Sequence, residues 1–359
     1  MKTFYKGISL LFVVIIIVSI SAISLGEDIP LLPKEKNIVD FHVHVAGLGY
    51  GNSGCFVNKE MRDNFRFPLY LKAMGVTEEA LAQQGDRVLF SKVSHNIEQS
   101  KSISHAVILS MDGVIDKHGV LDKNATQIYV PNTYVFEETS KTDNLLFGAS
   151  INPNRPNALA LLEQVAGQGA VLIKWIPSIM DIDPSDKKFT AFYQKMVELD
   201  MPLLTHTGME KSFSNAKNEL ADPKRLGLPL SLGVKVIAAH IATTGHSEGE
   251  YNFERILPMF AQYPNLCADI SSLTQINKLP FMHEVLKQPI LKGRLLYGTD
   301  WPLQFFPLVS PWYHLDLISL RDAWKISNMD NQWDRDVALK KAMKVDESVF
   351  TVGSKLFLK

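Results

Sequence analysis

Short, almost continuous apolar segments recur along the chain at intervals that leave room for helices between them. Such segments are typical of strands buried on both faces, whereas a strand with one face in water alternates polar and apolar residues. Eight candidate strands begin at Asn37, His105, Leu145, Ala170, Pro202, Val234, Leu266 and Arg294. The pattern therefore predicts parallel strands that are covered on both sides.

The stretches between these segments have the composition of helices. Examples are DKKFTAFYQKMVELD and NFERILPMFAQYP, and Thr77 followed by two glutamates is typical of an N-cap with an acidic first turn. Strand and helix repeated eight times favour a (β/α)8 TIM barrel over a doubly wound open sheet, which fits the pattern less well. No linker or repeat interrupts the chain after Pro33, so the sequence predicts one α/β domain over residues 34–359.

Ionisable side chains stand near the ends of several predicted strands. The first strand carries two histidines in DFHVHV, His42 and His44, and residues two apart in a strand point to the same side. Four more ionisable residues come late in other strands, namely Lys174, His206, His240 and Asp300. The active site of a TIM barrel lies at the carboxyl ends of its strands, so these side chains are predicted to meet there.

Two interpretations of these histidines compete. A single histidine in an apolar strand is more often a hydrogen-bonded core residue than a metal ligand. The same-face pair His42 and His44 has no obvious packing use, and His206, His240 and Asp300 add donors at the same rim. Because burying such groups is costly unless they are paired or bind a metal, the combination favours a metal site.

The net charge and the cysteine content narrow the range of possible functions further. The 37 lysines and arginines nearly balance the 38 aspartates and glutamates, which leaves a net charge of -1. No basic excess is present to displace the counterions of a nucleic acid, so a nucleic-acid partner is not expected. Cys55 and Cys267 are the two cysteines, no C-x-x-C spacing indicates a zinc or redox motif, and their pairing is left open.

The N-terminal region has the pattern of an export signal. Lys2 and Lys6 precede an apolar run over residues 8–25, which is long for a signal peptide and just long enough to span a membrane. We expect residues 1–25 to be a signal peptide or an uncleaved anchor, which makes the protein periplasmic, extracellular or held at a membrane through residues 8–25. A buried N-terminal helix is the weaker alternative, because nothing downstream ties this segment to the fold.

A glycine-rich segment after the first predicted strand has the form of a dinucleotide-binding motif. Residues 49–54, GYGNSG, match G-x-G-x-x-G. The glycines of that motif should begin a helix, but GYGNSGCFVN contains no helix-forming run. A flexible or tightly turning loop over the metal site is the preferred interpretation, because glycine permits close backbone approach.

Five segments, in their order along the chain, resemble the amidohydrolase superfamily of metal-dependent hydrolases, in its amidohydrolase-related family 2 branch. These segments are DFHVHV, LIKWIPS, PLLTHTG, VIAAHIA and LLYGTDWP, and the resemblance spans nearly everything from Asn37 to the end. It implies that the metal ligands are His42, His44, His206 and Asp300. It also implies that His240 stands beside the metal and faces the substrate or a bound water.

Lys174 has more than one interpretation under this resemblance. Binuclear members of the superfamily bridge two metal ions with a carboxylated lysine at the end of strand four, whereas members of the family 2 branch are often mononuclear. A lysine at this position could also pair with a substrate carboxylate or with a neighbouring acid. We expect one metal ion per chain rather than two, and Lys174 is a ligand only if it is carboxylated.

The predicted reaction follows from the donor set. Imidazoles and a carboxylate suit Zn²⁺, with Mn²⁺, Fe²⁺ and Co²⁺ as alternatives. A metal-activated water is expected to hydrolyse an amide, ester or lactone in a small organic substrate. Asp300 is expected to move the proton from water to the leaving group, and His240 to stabilise the oxyanion. Candidate substrate contacts on the loops are Arg155, Glu210 and Trp301.

Three other functions fit parts of the sequence. Some relatives in this branch decarboxylate small unsaturated or aromatic acids on similar ligands. An exported metal- or solute-binding protein needs the imidazoles but not Asp300 and His240 as base and electrophile, and a nucleotide enzyme would follow from residues 49–54. The loops MDGVIDKHG and SIMDIDPSD are expected to select the substrate. The substrate itself, and whether the chain forms a homo-oligomer, are left open.

Overall fold

The computed structural model of the chain describes Ile29 and residues 31–358. The predicted leader, residues 1–25, therefore lies outside the described residues. Among the helices that are described, none combines the length and the apolar character needed to cross a membrane.

Eight parallel strands form a barrel in which each strand pairs with its neighbours in sequence. The barrel closes where the first strand meets the last, because the Phe41 N–H donates to the Tyr297 carbonyl (3.3 Å) and the Asp300 N–H donates to the His42 carbonyl (2.9 Å). The predicted TIM barrel is thus confirmed. Its strands are β1 Ile38–His44, β2 Ile103–Leu109, β3 Leu145–Ala149, β4 Leu172–Trp175, β5 Leu203–His206, β6 Val236–Ala239, β7 Leu266–Asp269 and β8 Leu295–Leu296.

Helices occupy the stretches between the strands, as the sequence predicts. The Thr77 hydroxyl accepts a hydrogen bond from the Ala80 N–H (3.2 Å), which makes Thr77 the expected N-cap. The described helices are α1 Lys59–Arg62, α2 Phe67–Ala73, α3 Glu78–Gln84, α4 Val88–Gln99, α5 Asn132–Thr139, α6 Ala158–Gly167, α7 Pro177–Met180, α8 Thr190–Glu198, α9 Gly227–Ser231, α10 Asn252–Gln262, α11 Leu279–Leu286, α12 Leu320–Ser327, α13 Gln332–Ala342 and α14 Glu347–Phe357.

The apolar core has two layers. The larger layer joins the helices to the outer faces of the strands. The smaller layer fills the barrel interior with strand residues such as Val39, Leu172, Leu204 and Ile237, and the C-terminal segment packs against it. These side chains fill the amino-terminal part of the barrel, which leaves its carboxyl end for polar residues.

A β-bulge in β1 changes which side chains face the interior. The register with β2 shifts between Asp40 and Val43. As a result Phe41 belongs to the interior cluster and Val43 to the outer layer, while His42 and His44 face the carboxyl end of the barrel. Asp40 fixes the bulge, because its carboxylate accepts the His42 N–H and the Thr299 N–H, each at 3.0 Å.

The glycine-rich segment forms a tight turn. Gly49, Gly51 and Gly54 have φ values of 95°, 72° and 71°, which residues with a Cβ rarely adopt. Residues Tyr50–Asn52 make a single 3-10 turn that does not continue as an α-helix. This geometry agrees with the preferred interpretation of a turning loop and not with a dinucleotide-binding helix.

Candidate metal centre and active site

Four histidine rings lie side by side at the carboxyl end of the barrel. The ring centroids of His42 and His44 are 4.9 Å apart, those of His42 and His240 are 5.1 Å apart, and those of His206 and His240 are 5.2 Å apart. Burial lowers the pKa of His206 to about 4 and the pKa values of the other three rings well below their usual range. The rings are therefore neutral at pH 7, the form in which imidazole binds a metal.

Asp269 at the end of β7 orients His42. The His42 Nδ1–H donates to Asp269 Oδ2 (2.8 Å), so the Nε2 lone pair faces the cavity. The other carboxylate oxygen accepts the His240 N–H (2.9 Å) and the Ser271 N–H (3.1 Å), which leaves Asp269 occupied by donors. Asp269 was not identified from the sequence, although it follows an apolar run in LCADIS, as Asp300 follows the run in LLYGTD.

Asp300 lies over the first two imidazoles. Its Oδ1 is 3.5 Å from the Nε2 atoms of both His42 and His44, and its Oδ2 is 4.0 Å from His240 Nε2. The ligand atoms of His42, His44 and Asp300 lie within 4.8 Å of one another, a grouping that could hold a metal ion. Burial raises the pKa of Asp300 to about 7.

The residues present fit a divalent metal ion. His44 Nδ1 and His206 Nε2 are buried and lack a hydrogen-bond partner among the described residues. Both nitrogens belong to residues that line one cavity together with His42, His240 and Asp300. Buried nitrogen atoms are usually paired, so a cluster of neutral imidazoles with unpaired nitrogens next to a carboxylate is suited to metal binding.

His240 stands at a sharp change of chain direction. Its φ is 57°, and Ile241 and Ala242 also have positive φ, a conformation that costs roughly 1–3 kcal/mol per residue outside glycine. The hydrogen bond from the His240 N–H to Asp269 helps to hold this backbone. Because Ala239 already faces the interior, the left-handed turn is what directs the following side chain into the cavity as well.

A buried lysine belongs to the polar group around His240 Nδ1. The Lys278 ammonium donates to Ser272 Oγ (2.6 Å), and this oxygen lies 3.0 Å from His240 Nδ1. The Ser271 hydroxyl donates to Asp269, and the hydroxyl and carbonyl oxygens of Ser271 lie 2.8 Å and 3.1 Å from the same Nδ1. The other ring nitrogen, Nε2, points toward the side of Asp300. Lys278 was not identified from the sequence, because it does not end a predicted strand.

Lys174 also reaches the cluster. Its Nζ donates to His42 Nε2 (2.9 Å), and its side chain is 1% exposed. Burial lowers the pKa of Lys174 to about 8, against the opposing effect of Asp269 and Asp300. The lysine therefore lies where the resemblance implies it, beside the predicted metal ligands.

The three predicted substrate contacts have different surroundings. Glu210 lines the cavity, and its Oε2 is 3.5 Å from His206 Nδ1. Arg155 instead pairs with Asp112, with Nε donating to Oδ2 at 2.6 Å, and Trp301 is buried with its Nε1–H donating to Gln332 (2.9 Å). The structure therefore brings Glu210 to the site but not Arg155 or Trp301.

The two loops expected to select the substrate contribute little to the cavity. Met111 of MDGVIDKHG is among the lining residues, and none of residues 178–186 is. Asp116, His118 and Asp183, from the two loops, line a separate groove. Both cysteines, Cys55 and Cys267, are buried free thiols.

Comparisons with known proteins agree with this architecture. Residues 39–328 match the family model described as Amidohydrolase. An uncharacterised TIM-barrel protein from Bordetella bronchiseptica is 14% identical, with 84% of this chain and 99% of that chain covered and a TM-score of 0.50. IDCase from Metarhizium anisopliae is 11% identical, with 89% and 97% covered and a TM-score of 0.51. No curated protein sequence is significantly similar to the chain. At these identities the solved structures show a shared fold.

Proposed function

Because the chain belongs to the amidohydrolase family, we propose that it is a hydrolase that uses one divalent metal ion to cleave an amide, ester or lactone in a small organic substrate. The observation that carries the proposal is the cluster of four neutral imidazoles beside Asp300 at the base of one cavity. If the histidines were ordinary hydrogen-bonded core residues, His44 and His206 would not have unpaired buried nitrogens.

The proposed metal ligands are His42, His44, His206 and Asp300. Zn²⁺ is the proposed ion, with Mn²⁺, Fe²⁺ and Co²⁺ as alternatives that the same donors accept. When bound, the ion acts as a Lewis acid that makes water acidic enough to ionise near pH 7 and polarises the substrate carbonyl.

The side chains around the cluster have distinct proposed roles. Asp300 accepts the proton of the attacking water and passes it to the leaving nitrogen or oxygen. His240, through an Nε2–H, donates to the carbonyl oxygen as that oxygen becomes negatively charged. Asp269 holds His42 with its Nε2 lone pair toward the cavity.

Decarboxylation on the same site is the second candidate. Lys174 favours it, because its buried ammonium lies 2.9 Å from His42 and could pair with a carboxylate of the substrate.

We further propose that the protein is exported, or held at a membrane through residues 8–25, on the pattern of its first 25 residues.

Isotope labelling separates these two reactions. The full-length chain, supplied with Zn²⁺ or Mn²⁺, is assayed against a panel of amides, esters, lactones and aromatic acids in ¹⁸O-labelled water. Hydrolysis places ¹⁸O in the product acid, whereas release of CO₂ without incorporation at a carbonyl would replace our proposal with decarboxylation.

Replacement of Asp300 tests its proposed role within the same assay. Asp300→Asn should lower turnover at least about 100-fold, because the amide cannot take up the proton. Metal content measured on the same sample provides the control. Full turnover by Asp300→Asn with its metal retained would show that Asp300 is not the base.

A further inference from the structure

The cavity above the histidines is lined by two chemically different groups of side chains. Its volume is about 940 Å³, including its open mouth. The base holds the four imidazoles and the charged groups Lys174, Glu210 and Asp300. Away from these groups in the chain, the lining includes six aliphatic and aromatic side chains, which we call the apolar wall: Val57, Met61, Phe67, Leu71, Met74 and Ile128.

The apolar wall is built on secondary structure. Val57 and Ile128 come from two short strands that pair with each other, antiparallel, and the rings of Phe56 and Tyr129 stack at 5.5 Å on the same pair. Met61 belongs to α1, Phe67 and Leu71 belong to α2, and Met74 directly follows α2. Helix α1 is capped by Asn58, which accepts the Met61 N–H (2.9 Å). The wall therefore has a defined position relative to the metal centre.

Hydrogen bonds brace these elements against the loop after β5. Gln127 accepts the Ser214 N–H (2.8 Å), donates to the Asn215 carbonyl (2.9 Å) and accepts the Asn58 N–H through its own carbonyl (2.9 Å). Arg66 donates to the Lys211 carbonyl (3.0 Å). The cavity is thus enclosed by segments that are distant in sequence and joined to one another.

Charge is distributed unevenly over this surface. Among the described residues that line the cavity, every charged side chain lies with the imidazoles, and the apolar wall has none. A charged group placed against the wall would lose its hydration without gaining a partner, whereas a hydrocarbon group would leave water favourably. The wall therefore selects for an uncharged apolar group.

We propose that the apolar wall is the specificity surface of the enzyme, and that the substrate carries an uncharged alkyl or aryl group next to its reacting carbonyl. This inference rests on the proposed function for the part of the substrate that reacts. It adds the chemical class of the group at the opposite end of the substrate. The reacting carbonyl lies over the imidazoles, and the apolar group extends along α2 and the two-stranded sheet.

Methyl ketones test the proposed class of substrate by binding alone. They imitate the carbonyl of an amide or ester, but they cannot be hydrolysed. Isothermal titration calorimetry on the full-length, metal-loaded chain compares 2-butanone, 2-hexanone, 2-octanone and 4-phenyl-2-butanone. Each added methylene should tighten binding about fourfold, as expected for a buried CH₂. The phenyl ketone shows whether the wall prefers aryl or alkyl groups.

A charged probe provides the contrast. The ketone 7-oxooctanoate has the length of 2-octanone but ends in a carboxylate, and it should bind at least about tenfold more weakly. Equal affinity for these two ketones, or affinity that does not change with chain length, would overturn the proposal.

Two leucines on α2 offer a matched pair of variants. Leu71 is half-buried and lines the cavity, whereas Leu69 on the same helix is 43% exposed and does not. Leu71→Arg should weaken 2-octanone and strengthen 7-oxooctanoate, and Leu69→Arg should change neither affinity. Should Leu71→Arg fail to fold, Leu71→Gln should still weaken 2-octanone more than Leu69→Gln does. Equal effects at the two positions would contradict the proposal.

The test of the specificity surface and the test of the proposed reaction can give different results. If the ketone series binds as expected but no amide, ester or lactone is hydrolysed, the specificity surface stands and the proposed reaction fails. If hydrolysis occurs with no dependence on chain length or tail charge, the reaction stands and the specificity surface fails.

Discussion

His42 is held from both sides of its ring. Asp269 accepts its Nδ1–H, and Lys174 and His44 approach its Nε2 at 2.9 and 3.0 Å. A fixed ring with one lone pair toward the cavity binds a metal ion without first losing rotational freedom. The buried carboxylate of Asp269 therefore influences the metal centre by holding His42.

Asp269→Asn tests this positioning role. The amide accepts the Nδ1–H less strongly and can no longer make His42 a stronger donor, so metal affinity should fall about 10- to 100-fold. Competition with a chromophoric chelator measures the affinity, and circular dichroism checks that the barrel is intact. The exposed Asp330→Asn serves as the control. Unchanged affinity in Asp269→Asn would show that the carboxylate only supports the fold.

The loop after β1 is the element that carries the chain from the metal centre to the apolar wall. Asp86 anchors it by accepting the Gly49 N–H (2.9 Å) and the Ser53 hydroxyl. The backbone also comes close to this carboxylate, because a Cβ on Gly47 would lie 2.2 Å from Asp86 Oδ2. The loop is therefore packed against Asp86 as well as hydrogen-bonded to it.

Asp86→Ala should lower the free energy of unfolding by about 1–3 kcal/mol, because it leaves the buried Ser53 hydroxyl and the Gly49 N–H without their acceptor. Urea denaturation followed by tryptophan fluorescence measures the change. Asp63→Ala is the matched control, since Asp63 is exposed and its pair with Lys59 is a surface ion pair of small expected value. Equal stability of the two variants would show that Asp86 does not anchor the loop.

At the scale of the whole molecule, the barrel and most of the site could be predicted from the sequence. Seven of the eight apolar segments contain the whole strand found in the structure, and the second strand begins two residues before its predicted start, at Ile103. The agreement arises because burial on both faces leaves an almost continuous apolar run that the sequence shows directly. The histidines and Asp300 were identifiable because each interrupts such a segment with a polar group.

Other features could not be predicted because they depend on contacts between distant residues. The bulge that turns both Phe41 and His42 inward depends on pairing with β2 and on Asp40. The position of Lys278 beside the histidines depends on its hydrogen bond to Ser272, and the apolar wall depends on the pairing of residues 56–57 with residues 128–129. Each is a tertiary contact with no local sequence signal.

The measurement that tests the central claim most directly is the metal content of the full-length protein. The chain is expressed with Zn²⁺ or Mn²⁺ in the medium, purified without chelator and analysed by inductively coupled plasma mass spectrometry, beside His42→Ala/His44→Ala. We predict about one divalent transition-metal ion per wild-type chain and a large loss of metal in the double variant. A wild-type protein that binds no metal under these conditions would contradict the account, and the histidine cluster would then be part of an ordinary core.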